Sequence, residues 1–189
     1  VTDASGNSST SSMTVTVTDA QAPVVAAASN VAVNTDAGQC TALVTITNAT
    51  YSDNCSGATL SYVMSGATVK ASTAGQVGTY TFNKGVTTIT YTATDASSNT
   101  TTSSMTVTVT DAQAPAVAAA SNVAVNTDAG QCTALVSITN ATYSDNCSAT
   151  LSYVMSGATV KASTSGQVGS YTFNKGVTTI TYTATDAAN

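Results

Sequence analysis

The chain has 189 residues and only 7% of them are charged, where a soluble globular domain usually carries about a quarter. All nine acids are Asp and all four bases are Lys, Glu, Arg, His and Trp are absent, and the net charge is −5 with a pI near 4.1. With no basic patch to neutralise phosphates, nucleic-acid binding is excluded, and without His so is zinc or general-base chemistry built on imidazole.

Along the chain, apolar and polar residues alternate with period two, the mark of half-buried strands, and no stretch has helical periodicity. After a Thr-rich opening, residues 1–18, come the short apolar runs "PVVAA" and "VAVN". In "TALVTIT" one face holds Ala42, Val44 and Ile46; in "TLSYVM" it holds Leu60, Tyr62 and Met64. "TVKA" follows, then "TYTF" with Tyr80 and Phe82. "GVTTITYTATD" turns Ile89, Tyr91 and Ala93 inward and its threonines outward, and "SMTVTVT" does the same with Met105, Val107 and Val109. Turn sequences such as "TDAGQ", "SDNCSG", "AGQVG" and "NKG" separate them. Seven or eight strands in 92 residues predict an all-β fold, an immunoglobulin-like two-sheet sandwich.

The pattern then repeats. The segment from Thr18 returns from Thr110, with Cys40 mapping to Cys132, Cys55 to Cys147 and Pro23 to Pro115; past Gly57, which has no counterpart, Tyr91 maps to Tyr182. Four substitutions separate the copies: Val24/Ala116, Thr45/Ser137, Ala74/Ser165 and Thr79/Ser170. The expected organisation is therefore the closing-strand region of a preceding repeat (1–18), one complete repeat (19–110), and a second lacking its last strand (111–189), together a window on a longer tandem array. Neither a signal peptide nor an apolar run of membrane-spanning length is read in it, as expected of a window even where the parent protein is secreted.

Cys40 and Cys55 flank one strand and the expected return from it, which predicts that both sulfurs reach the same end of the sandwich. Even number, identical spacing and absence of His favour disulfides over a metal or catalytic pair. The expected bridges are Cys40 to Cys55 and Cys132 to Cys147, none between repeats, and the expected compartment is oxidising.

Taken together, "DAQAP", "VAVNTDAGQC", "SDNC", "FNKGVTTITYTATDASSN" and "MTVTVTD" resemble the hyalin repeat, an immunoglobulin-like module of extracellular proteins and giant bacterial surface proteins. A second cysteine pair common in that family is replaced by Ala27 and Ser103. The resemblance implies adhesion or structural spacing at a cell surface, without catalysis.

Each repeat offers Asp19, Asp36, Asp53 and Asp95. A calcium site needs six to eight oxygens, and no single stretch clusters the carboxylates; each Asp sits in a turn where it can bond backbone amides instead. Lys70 and Lys84 are weighed as isopeptide donors against solvated turn residues, and the solvated reading is favoured. Thr88, Thr90 and Thr92 beside Thr106 and Thr108 would form a hydroxyl array similar to ice-binding faces, although Thr is also simply a good strand former. Asn7, Asn48, Asn54, Asn99, Asn140 and Asn146 head Asn-x-Ser/Thr sequons, acceptors in a eukaryotic secretory pathway and turn residues otherwise. With no His or Glu to activate a hydroxyl, no enzyme and no cofactor is expected.

The expected function is a structural spacer of a long surface fibre or adhesin, extracellular, partnered by further copies of the repeat in its parent chain and, at the surface, by glycans or other cells. The rivals are a multivalent module binding carbohydrate, ice or cells, and a subunit polymerised by strand exchange. A short linker containing Pro115 leaves little slack, so end-to-end units with a repeat of about 35 to 45 Å are expected.

Overall fold

A computed structural model describes residues 1–186; residues 187–189, the end of the second expected repeat, lie outside the described residues. Strands and their connections account for all regular structure, so the described chain is all-β. The first unit contains β1 (Val24–Ala26), β2 (Val31–Asn34), β3 (Thr41–Thr45), β4 (Thr50–Ser52), β5 (Thr59–Gly66), β6 (Lys70–Ala74), β7 (Thr79–Asn83), β8 (Gly85–Thr94) and β9 (Thr100–Thr110). A five-stranded sheet runs β2-β9-β8-β5-β6, and the pairs β1-β4 and β3-β7 face it. In the large sheet β2 joins β9 in parallel, Val31 opposite Val107 and Val33 opposite Val109, while the other neighbours are antiparallel. This is a β-sandwich.

The alternation fixes the core. Val44, Ile46, Leu60, Tyr62, Met64, Phe82, Ile89, Tyr91, Met105, Val107 and Val109 are buried between the sheets, as their period-two faces predict. At about 1.5 to 3 kcal/mol per fully buried large side chain, this cluster is the main stabilising term. Of the expected hydroxyl array on β8 and β9, Thr88 faces Thr106, whereas Thr108 faces Val86; Thr92 faces Thr102, and Thr90 and Ser104 hydroxyls bond at 3.0 Å. One strand was not foreseen. β4, of three exposed residues, carries no alternation signal and exists because it pairs with β1, Tyr51 opposite Val25.

The second unit comprises β10 (Ala116–Ala118), β11 (Thr133–Ser137), β12 (Thr142–Ser144), β13 (Ala149–Gly157), β14 (Lys161–Ser165), β15 (Ser170–Asn174) and β16 (Thr178–Asp186). Their pairings reproduce those of β1 and β3–β8 one for one. Counterparts of β2 and β9 are missing among the described residues. In the first unit β2 pairs with β9; the equivalent residues 123–126 form no strand. Val123 and Val125 are accordingly 52% and 59% exposed, and Ile180 and Tyr182 are half-buried where Ile89 and Tyr91 are fully buried.

Residues 1–18 pack into neither sandwich. Asp3 and Asn7 close a turn that repeats the one between Asp95 and Asn99, and beyond it the chain runs out unpaired. Met13, Val15 and Val17, equivalents of the buried Met105, Val107 and Val109, are 85%, 74% and 91% exposed.

Candidate joint between the repeated units

The four cysteines are not arranged as their spacing suggests. Cys40 precedes β3 and its carbonyl accepts from the Lys84 N–H, beside the start of β8. Cys55 precedes β5, whose Thr59 faces Thr94 at the other end of β8. The ten residues of β8 therefore separate the two, roughly 30 Å at the rise of a strand, against the 7 Å or less that a disulfide tolerates between Cα atoms. The expected Cys40–Cys55 and Cys132–Cys147 bridges are thus corrected: after β3 the chain continues to the far end of the sandwich instead of returning. The bridge formed joins the units, Cys40 to Cys147, with Cα atoms 4.6 Å apart and a sequence separation of 107. Cys55 and Cys132 are exposed thiols.

Around this bridge the first unit's turn after β2 meets the second unit's "SDNC" turn. The Asn146 side-chain amide donates to the Gln39 carbonyl at 2.8 Å and to Thr35 Oγ1 at 3.2 Å. The Gly38 N–H donates to Gln113 Oε1 at 3.3 Å, and Thr35 N–H to the Thr110 carbonyl at 2.9 Å. Asp111, 4% exposed, lies where β9 leaves the first unit, its Oδ2 3.8 Å from Lys84 Nζ. Lys84 is thus not simply a solvated turn residue; it faces a carboxylate. Two sequons also have structural duties, since the Asn146 amide is spent in the joint and the Asn99 amide donates to Asp95 Oδ2 at 2.8 Å.

The aspartates do cap turns. Asp36 Oδ2 accepts from Leu43 N–H, Asp53 Oδ2 from Cys55 N–H, and Asp145 Oδ2 from Cys147 and Ser148 N–H. They also converge, which no single stretch of sequence displays. Oxygens of Asp111, Asp145 and Asp186 lie within 4.8 Å of one another, as do ligand atoms of Asp19, Asp53 and Cys55. These are the groups that could hold a cation, yet three carboxylates fall short of the six to eight oxygens of a calcium shell. At the open end of the first unit, Asp19 accepts from the Cys55 thiol; this bond, then burial and the charges of Asp19, Asp53 and Asp95, pushes that thiol above its ordinary value. The Asp19 carboxyl is held below the usual range by the Gln21 N–H first and the thiol second.

Residues 18–109 match the family model of the HYR domain. A search of curated proteins returned no match.

Proposed function

From the membership of residues 18–109 in the HYR domain family, an adhesion-type module without catalytic activity, we propose that this chain is a spacer of an extracellular surface fibre, its units set end to end. Further copies of the repeat are its partners, and the fibre carries adhesion at a distance from the cell. The observation that carries the reading is the placement of one cysteine at each end of a unit, with Cys40 bonded to Cys147 across the joint. A ligand-binding module has no need of a covalent seal between neighbours, whereas a load-bearing strut does. The disulfide also fits an oxidising, extracellular setting.

Small-angle scattering of the oxidised chain tests this. Two sandwiches in line should give a longest dimension of about 70 to 90 Å, from a strand rise of about 3.3 Å per residue plus loops. A compact particle with the units side by side would remove the mechanical basis of the spacer and favour a multivalent binding surface.

A further inference from the structure

Where the chain leaves the first unit, an amine and a carboxyl are held against each other. Gly85 pairs with Val109, so Lys84 and Asp111 flank the open end of the β8–β9 hairpin. Lys84 Nζ lies 3.8 Å from Asp111 Oδ2, and the Asp111 side chain is wholly removed from solvent. Its two oxygens differ: Oδ1 accepts from the Gln113 N–H at 3.2 Å, whereas Oδ2 has no hydrogen-bond partner among the described residues. A second such oxygen lies close by. Asp145 Oδ2 accepts from Cys147 and Ser148 N–H at 3.0 and 3.1 Å, while its buried Oδ1 has no hydrogen-bond partner among the described residues. Oxygens of Asp145 and Asp111 come within 4.8 Å of each other. Buried oxygens without donors are costly, and condensation with the amine would expel one of them as water.

We propose that Lys84 and Asp111 condense into an isopeptide bond at the joint, with Asp145 carrying the protons.

The step balances without an oxidant or a cofactor. Asp145 Oδ1 takes one proton from the Lys84 ammonium and passes it to Asp111 Oδ2, which leaves a neutral amine beside a carboxylic acid. Nζ attacks Asp111 Cγ and the N–C bond forms. The nitrogen gives up a second proton, again through Asp145, to the Oδ2 hydroxyl; the C–Oδ2 bond breaks and water departs. Asp145 ends as it began. Oδ1 stays as the amide carbonyl, and the Gln113 N–H that it already accepts stabilises the charge developing on it. The reacting atoms need to stand about 3 to 3.5 Å apart, which the flexible Lys stem reaches by a small rotation. Exclusion of water from the Asp111 side chain opposes the reverse hydrolysis.

The disulfide positions the parts. Lys84 N–H donates to the Cys40 carbonyl at 3.2 Å and Asp145 accepts from the Cys147 N–H, so each end of the bridge holds one participant. The product ties the end of β9 to the start of β8. A pull from the second unit enters the first through β9, and the amide prevents that strand from peeling away even where a reductant has opened the bridge.

Mass spectrometry tests this. The chain is folded with the Cys40–Cys147 bridge closed, then reduced and weighed intact. The expected mass is one water below that of the sequence, and trypsin should fail to cut after Lys84. Lys84→Arg keeps a cation beside Asp111 but cannot form this bond, so it should show the full mass. Asp145→Asn keeps the acceptor for the Cys147 N–H but relays no proton; it should slow the loss of water about 100-fold or more. Closure of the Cys40–Cys147 bridge in each variant reports that the joint has folded. A chain of full mass that trypsin cuts after Lys84, with the bridge in place, would overturn the proposal and leave the spacer reading to the scattering experiment. Loss of water that persists in Lys84→Arg would overturn it equally, and an unchanged rate in Asp145→Asn would overturn the role given to Asp145.

Discussion

Asp111 and Lys84 belong to different repeats and meet across the joint, with Oδ2 3.8 Å from Nζ and the carboxylate side chain removed from solvent. Replacing Lys84 by Met strips a buried carboxylate of this cation. Breaking a fully buried pair costs about 3 to 5 kcal/mol; Lys84 is a quarter exposed, so screening lowers the expected loss to roughly 1 to 3 kcal/mol. Urea unfolding should show an earlier midpoint for Lys84→Met and a smaller change when Asp111→Asn is added. Equal midpoints in all three chains would mean that the pair contributes nothing.

The bridge between Cys40 and Cys147 closes a loop with a sequence separation of 107. A loop of about 100 residues limits the unfolded chain by roughly 4.7 kcal/mol in the chain-entropy model. Cys40→Ser with Cys147→Ser should lower Tm on the order of 10 °C, taking 2 to 4 °C per kcal/mol for a chain of this size. The second unit, with its thinner core, should melt first. A single unchanged transition by calorimetry would contradict both expectations.

The thiolate is the species that reacts, and the bond to Asp19 holds the Cys55 thiol above its ordinary value. At a given pH, Cys55 should therefore alkylate more slowly than a cysteine in an unstructured peptide, and its rate should rise at higher pH. Asp19→Ala should move the profile back down. Iodoacetamide labelling followed by mass spectrometry gives both curves; coincidence of Cys55 with the peptide would show that the hydrogen bond does not form.

What the sequence disclosed and what it hid divide along a physical line. Period-two alternation is local, so the inward faces of Ala42–Ile46, Leu60–Met64 and Ile89–Ala93 were legible; the exposure of Met13, Val15 and Val17 was not, because the same alternation marks them as an inward face. β4 was not, because its pairing with β1 leaves no mark on three exposed residues. The cysteine pairing was misread because spacing measures distance along the chain, whereas β8 separates Cys40 from Cys55 in space. The convergence of Asp111, Asp145 and Asp186 is likewise a product of three separate stretches of chain, the last of them the end of β16.

Gly66 holds φ at +96°, and a Cβ there would run into the Val86 carbonyl, which already accepts the Ala67 N–H. Gly66→Ala should destabilise the first unit by about 1 to 3 kcal/mol from backbone strain, before any cost of the clash. Gly157, against Val177, should behave alike in the second unit. Denaturant titrations of the two variants check this, and a neutral substitution at either site would rule out the turn geometry.

Chelation should leave the fold in place. Asp53 and Asp145 already accept backbone N–H groups, and Lys84 supplies positive charge beside Asp111. A fall of more than about 10 °C in Tm on adding EDTA would imply well over 1 kcal/mol of linked binding and assign the carboxylate cluster to a cation.

The position of the bridge also sets how far a pulled fibre can lengthen after its sandwiches have come apart. Tension follows the shortest covalent route. In this chain that route leaves at Cys40 and re-enters at Cys147, so the fully drawn-out length falls from about 660 Å to about 290 Å at roughly 3.5 Å per residue. With the same seal at every joint, each repeat contributes to the route only the 15 positions from Cys40 to Cys55, about 50 Å when taut, against about 320 Å for the whole repeat. That is close to the length of the folded sandwich with its linker. Such a tether barely yields when a unit denatures, and the unit can refold with its neighbours still held in register.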